Sequence, residues 1–177
     1  MVDAEQHRGG IWFDSAEAAA SCSGPVDLGL DGWFAGGCHR YRLRVQYEDT
    51  DSGGIVYHAQ YLAFAERARS AMLRLAGIDQ ANWLAQGMGF VVHHLTINYQ
   101  RPAKLGAVLG VETQLSSLGA SRCVLVQRIV DAAVPALAAA PVLASLDIRL
   151  GFVHLGSGPK RLPDEIRENL AALLPQT

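Results

Sequence analysis

Polar chemistry is concentrated in the stretch YEDTDSGGIVYHAQY, Tyr47 to Tyr61, of an otherwise oily chain. Gly53 and Gly54 open backbone conformations closed to other residues and let a ligand approach the main chain. A helix is expected to begin just beyond them, near His58 to Tyr61. The first turn of a helix carries unpaired N–H groups and the positive end of the dipole, a ready place to hold a developing oxyanion. An aspartate before such a turn, with a histidine at its rim, suits acyl transfer. A structural reading stands beside it. Asp49, Thr50 and Asp51 would form only an Asx-turn, and His58 would be a solvated cap. Residue types and spacing leave both readings open.

Other chemistries lack their residues. No G-x-S-x-G, Walker loop or G-x-G-x-x-G occurs, and GMG at Gly87–Gly89 is too short to count. His93 and His94 are adjacent in an expected strand. They should point to opposite faces, one toward the core and one toward a surface or interface, so they cannot chelate one metal together. His58 with Asp49 or Asp51 lacks clustered ligand spacing, so no metal site is expected. Glu66 has Arg69 three residues on and reads as its ion-pair partner.

The elements that must position these residues follow from periodicity. Tyr41, Leu43, Val45 and Tyr47 alternate with Arg42, Arg44 and Gln46, the pattern of a half-buried strand ending at Tyr47. Leu62, Ala65, Ala68, Met72, Leu73 and Leu75 recur at helical spacing, with Glu66, Arg67, Arg69 and Arg74 elsewhere. Gly77 is a natural stop. DQANWLAQG reads as a short second helix or a turn. Strands are then expected in FVVHHLTINYQ, AVLGVETQLSSL, SRCVLVQRIVD and VLASLDIRLGFVHL. Pro163, Asp164 and Glu165 mark the start of a closing helix. One long helix followed by a meander is α+β, with the sheet curling round the helix. Residues 1–38 are poor in pattern and read as an N-terminal extension, partly ordered at best. Trp12, Phe13, Trp33 and Phe34 argue that parts of it pack on a domain spanning 39–177, and a frayed tail is the alternative.

Half of the 177 residues are hydrophobic and the formal net charge is −2, so a sizeable core is available without staples. No Lys/Arg run exists, which argues against nucleic acid. Cys22, Cys38 and Cys123 are odd in number and far apart. They suit free thiols in a reducing compartment, and a cytoplasmic location is expected. MVDAEQHRGG lacks the layout of a signal peptide. The apolar AAVPALAAAPVLASL is short for a bilayer span and is broken by Pro135 and Pro141.

The stretch YEDTDSGGIVYHAQYLAFAERARSAML resembles the signature of hotdog-fold thioesterases of the 4-hydroxybenzoyl-CoA thioesterase family. It is most similar to their Tol–Pal-associated acyl-CoA thioesterase branch. The matching positions are Asp51, Gly54, Ile55, Val56, Tyr57, His58 and Tyr61. Weaker fits are Glu66–Arg69, NYQRPAKLG and KRLPDEIRENL. The resemblance implies a curved antiparallel sheet wrapped round a central helix, and acyl-CoA hydrolysis without a cofactor. It also implies a homodimer or homotetramer with active sites at subunit interfaces, and a peripheral link to the Tol–Pal cell-envelope system. Asp51 would be nucleophile or general base. The His58 N–H would polarise the thioester carbonyl, and its side chain would donate a proton or orient substrate. Gly54, Tyr57 and Tyr61 would line the substrate site. Arg101, Lys104 and Arg122 are candidates for the CoA phosphates, none preferred. The alternative function is a non-catalytic acyl-CoA or partner-binding module of the same fold, since a fold does not dictate chemistry.

Overall fold

The computed structural model describes residues 28–132 and 140–175. Trp12, Phe13 and most of the apolar link 132–141 therefore lie outside the described residues. The chain begins with a short helix, α1 (Leu28–Asp31), and strands β1 (Trp33–Ala35) and β2 (Cys38–Arg44). A 3-10 turn (Tyr47–Asp49) leads to the long helix α2 (His58–Leu75) and helix α3 (Gln80–Ala85). Strands β3 (Met88–Tyr99), β4 (Val108–Leu118), β5 (Arg122–Asp131), β6 (Val142–His154) and β7 (Gly158–Pro159) follow, and helix α4 (Asp164–Ala171) closes the fold. One antiparallel sheet runs β1-β2-β4-β5-β6-β3, with β7 beside β6. This is the α+β arrangement that the meander implied, and the hotdog fold that the resemblance implied.

Alternation along the sheet builds the core. Leu109, Val111 and Leu115 of β4 turn inward, as do Leu125 and Ile129 of β5 and Leu146, Ile148 and Phe152 of β6. Helix α2 lies against this face through Phe64, Ala65, Ala68, Ala71 and Met72, all buried. Alanines at the contact let the helix backbone approach the strands closely, and truncating Phe64 would cost about 3–5 kcal/mol. Leu62, assigned inward from its spacing, is 36% exposed; Phe64 occupies the core instead. The helix stops in a Schellman motif. Gly77 N–H donates to the Arg74 carbonyl and Ile78 N–H to the Leu73 carbonyl, both at 2.9 Å, with Gly77 at φ +75.

Arg69, assigned to the polar side of α2, is buried. Its guanidinium donates to Gln127 Oε1 at 2.7 Å and also holds Glu66. Gln127 Nε2 donates to Thr113 Oγ1 at 2.8 Å and to the Ala65 carbonyl at 3.0 Å. A buried cation is tolerated because its donors are satisfied.

Three local expectations change. The strand ends at Arg44, not Tyr47; Tyr47 is 83% exposed because the chain bends into the 3-10 turn. His93 and His94 are both exposed, since a bulge between Val92 and His94 breaks the alternation that would have sent one inward. Ordered pairing also starts before residue 39, within the segment set apart as an extension. Trp33, Phe34 and Ala35 of β1 pair with Arg40, His39 and Cys38 of β2. Burial pushes the thiols of Cys38 and Cys123 up, to about 11 and about 12, which makes both poor nucleophiles.

His39 fastens this first hairpin. Its Nε2–H donates to the Asp31 carbonyl at 2.7 Å, while Arg74 Nε donates to Asp31 Oδ1 at 2.8 Å. Nδ1 is buried without a partner, and burial lowers the His39 pKa from 6.5 to about 4. Between those two pH values the unfolded chain binds the proton and the folded chain refuses it. The His39 contribution is therefore complete above pH 6.5 and is lost as pH falls toward 4, a span of about 3 kcal/mol. Denaturant titrations at pH 6.5 and 4.5 should show a smaller loss in His39→Gln than in the parent. Equal losses would assign the acid sensitivity elsewhere.

Candidate active site

The segment from Gln46 to Tyr57 is a loop closed on itself. Asp49 is 2% exposed, and its Oδ2 accepts the Gln46 N–H at 2.7 Å. The Asp49 carbonyl accepts the Tyr57 N–H at 2.8 Å, and Thr50 bridges Val56 across the loop. At the tip, Asp51 N–H donates to the Ile55 carbonyl at 2.9 Å, and Gly54 N–H donates to the Asp51 carbonyl at 3.0 Å. Gly54 sits at φ +74, a conformation that disfavours any side chain. The Asp51 carboxylate is exposed and oriented by one bond, Oδ1 accepting the Gly53 N–H at 2.8 Å. The two aspartates thus differ in kind. Asp49 is a buried internal cap of the loop, and Asp51 is presented to solvent by it.

Helix α2 starts at His58, with Tyr57 extended before it (φ −60, ψ 134). Within the first turn Tyr57 N–H is used by Asp49, and Gln60 N–H by the Tyr57 carbonyl. The N–H groups of His58 and Ala59 meet no acceptor among the described residues. No acidic side chain occupies this turn. The result is a compact pair of donors at the positive end of an 18-residue helix.

Aromatic side chains surround these donors. The His58 ring lies 4.3 Å from that of Tyr57 and 6.4 Å, edge-on, from that of Tyr99. Tyr99 O–H donates to the His58 carbonyl at 3.0 Å. Tyr61 is buried, its oxygen accepts the Ala103 N–H at 2.9 Å, and burial raises its pKa. A cavity of about 250 Å³ opens here, lined mainly by Ile55, Val56, His58, Tyr61, Tyr99 and Pro102, with Arg101 also on its wall.

Of the residues singled out by sequence, His58 and Tyr61 line this cavity and Tyr57 packs beside His58. Asp51 and Gly54 stand on the adjoining turn and are not among the lining residues. Lys104 is tied to the loop by its bridge with Ile55, whereas Arg122 pairs with Gly151 toward the opposite end of β6. Glu66 holds Arg69. Tyr99 was missed. Its signal was an aromatic at the end of a strand, three residues before Pro102. Among the described residues no three His, Cys, Asp or Glu side chains cluster to hold a metal ion. A second apolar cavity, about 170 Å³, lies between α3, β3 and α4, around Trp83, Phe90 and Phe152.

Comparison with known proteins points to one family. The thioesterase-like superfamily matches residues 45–170. The acyl-CoA thioester hydrolase YbgC of Escherichia coli O157:H7 is 46% identical over 93 residues, 52% of this chain and 69% of that protein. The acyl-CoA thioesterase YbgC of Haemophilus influenzae is 37% identical over 129 residues, covering 72% of this chain and 90% of its own length. Among solved structures, the "Probable Thioesterase from Bartonella henselae" superposes with a TM-score of 0.64 at 34% identity. That match covers 71% of this chain and 99% of the other.

The contrast between the aspartates is directly measurable. Asp49→Ala strips the Gln46 N–H of its acceptor and should cost about 1–3 kcal/mol of stability. Asp51→Asn, at an exposed position, should stay within about 0.5 kcal/mol of the parent. Chemical denaturation of both variants checks this, and equal costs would refute the division of roles.

Proposed function

Because the chain belongs to the thioesterase-like superfamily, we propose that it hydrolyses the thioester of an acyl-CoA to the free acid and CoA. The observation that carries this reading is the start of α2. The N–H groups of His58 and Ala59 have no acceptor among the described residues, His58 lines a mainly apolar cavity, and the loop bearing Asp51 runs into this helix start. The names of the relatives, acyl-CoA thioester hydrolase and acyl-CoA thioesterase, support the substrate class.

A thioester is already activated, so the site has modest work to do. The acyl group enters the cavity, and the carbonyl oxygen meets the N–H of His58 and its neighbour. As the carbonyl carbon becomes tetrahedral, the negative oxygen gains more from these fixed donors than the neutral carbonyl did. Asp51 supplies the attack in one of two ways. It takes a proton from water, whose oxygen bonds to the carbonyl carbon, or its carboxylate attacks and the resulting anhydride is then hydrolysed. In both routes the C–S bond breaks and sulfur leaves to be protonated as the CoA thiol. The His58 imidazole is our candidate for orienting the leaving group or delivering that proton. Tyr61 shapes the wall, Gly54 and Tyr57 hold the adjoining turn and the His58 ring, and Arg101 and Lys104 stand near enough to the loop to meet phosphates.

We also propose that the working unit contains two chains. Among the described residues strand β3 is the outermost strand beyond β6, with one edge unpaired, and it exposes Val91, Val92 and Tyr99. A twelve-residue edge with apolar side chains is a template for another strand. A second copy pairing there joins the two sheets and covers the half-open cavity. No helix among the described residues is long and apolar enough to cross a membrane.

Thiol release measured across short, long and aromatic acyl-CoAs should give turnover with at least one class. Asp51→Asn should lower kcat by about a hundredfold or more with an unchanged unfolding midpoint. Binding by the parent without thiol release from any of them would replace hydrolysis by a non-catalytic acyl-CoA module. Sedimentation equilibrium should return at least twice the chain mass at micromolar concentration; a monomer would sink the edge-pairing proposal.

A further inference from the structure

We infer that Tyr99 is a positioning residue for the helix N-terminus, tuning the Ala59 N–H and fixing the His58 ring; its effect on turnover rests on the hydrolase reading above. The phenol donates to the carbonyl oxygen of His58 at 3.0 Å. That carbonyl belongs to the same peptide unit as the Ala59 N–H, one of the two donors left open at the start of α2. A hydrogen bond received at the C=O end draws electron density from the N–H end, so the amide becomes a stronger donor, by roughly 10–30% per bond. The Tyr99 O–H thus strengthens the group that would meet the oxyanion through the His58–Ala59 peptide, and not by a bond of its own to the reacting carbonyl.

The same side chain fixes the histidine. The Tyr99 ring stands at 90° to His58 and, at 5.6 Å, edge-on to Tyr61. Tyr61 is anchored in turn by the Ala103 N–H. Tyr99 is held at the end of β3 by pairing with Ala144, and the next residue, Gln100, donates its N–H to the Leu143 carbonyl at 2.8 Å. A rigid strand therefore delivers one phenol to the first peptide of the helix, and a site held by such a shell keeps its geometry. Among the described residues no other group outside the helix bonds the His58 carbonyl.

Tyr99→Phe removes only the hydroxyl and keeps the ring. With the acyl-CoA that the parent turns over best, kcat should fall about tenfold, the scale of weakening one oxyanion donor without removing it. KM should stay within about twofold, as expected when transition-state rather than ground-state binding is lost. The Ala59 amide proton should move upfield in the ¹H–¹⁵N spectrum, while resonances from the sheet core stay in place. Unchanged kcat, or a raised KM with kcat intact, would overturn the inference. If the parent hydrolyses no acyl-CoA, the hydrolase reading fails. The amide shift then decides alone: an upfield Ala59 supports the positioning role and an unmoved one ends it.

Discussion

The placement of α2 depends on the bond between Arg69 and Gln127. Apolar packing holds the helix on the sheet, but dispersion and burial are tolerant of sliding and rotation. The polar contacts are not. Gln127 spends its oxygen on Arg69 and its amide on Thr113 and the Ala65 carbonyl, which ties α2 to β4 and β5 at one register. Each group is buried, so a shift of the helix by one turn would strand several donors at once. The register so fixed puts His58 beside Tyr99 and the loop of Asp49, and leaves Glu66 at the surface as the outer partner of Arg69.

A second constraint acts at the other end of the same helix. The 46–57 loop enters α2 with the N–H groups of Asp49, Thr50, Asp51, Gly54 and Tyr57 bonded inside the loop and that of Val56 bonded to the Ala103 carbonyl. Closing the loop in this way consumes the N–H groups of Tyr57 and Gln60 and leaves those of His58 and Ala59. The open donors are therefore a consequence of how the loop is sealed, and not of a weak helix end. Because the buried aspartate carries the sealing, the exposed one is free of structural duty apart from a single Asx bond. Here the turn puts one of two carboxylates, two residues apart, inside and the other outside.

Much of this was legible in the sequence, and the exceptions share a cause. Period-two and helical patterns found α2 and the long strands because those elements bury one face, and apolar spacing reports that face directly. Arg69 was misplaced because a charge is assigned to solvent unless its partners are seen, and Gln127 lies 58 residues away. The bulge at His93 is a property of how β3 meets β6, so alternation within one strand could not reveal it. Residues 33–35 pair with β2 through backbone bonds, and backbone bonds leave little trace in side-chain pattern. The loop was found by residue types and by family resemblance. Tyr99 carries no motif of its own, and its contact with His58 spans 41 residues.

Strand β3 does two jobs that compete. Among the described residues its outer edge is unpaired, with Val91 and Val92 exposed, which favours docking of another strand, yet its last residue reaches back to the start of α2. A mobile edge would make the second job unreliable. The conflict is met by length: β3 is paired with β6 from Met88 to Tyr99, and the bulge sits well before the end that carries Tyr99. The irregularity thus falls where His93 and His94 face solvent, while regular pairing runs from His94 through Tyr99. On the proposed two-chain reading, the strand that forms the interface is also the strand that sets the oxyanion donors. Assembly and activity would then be coupled through one phenol rather than through a conformational change.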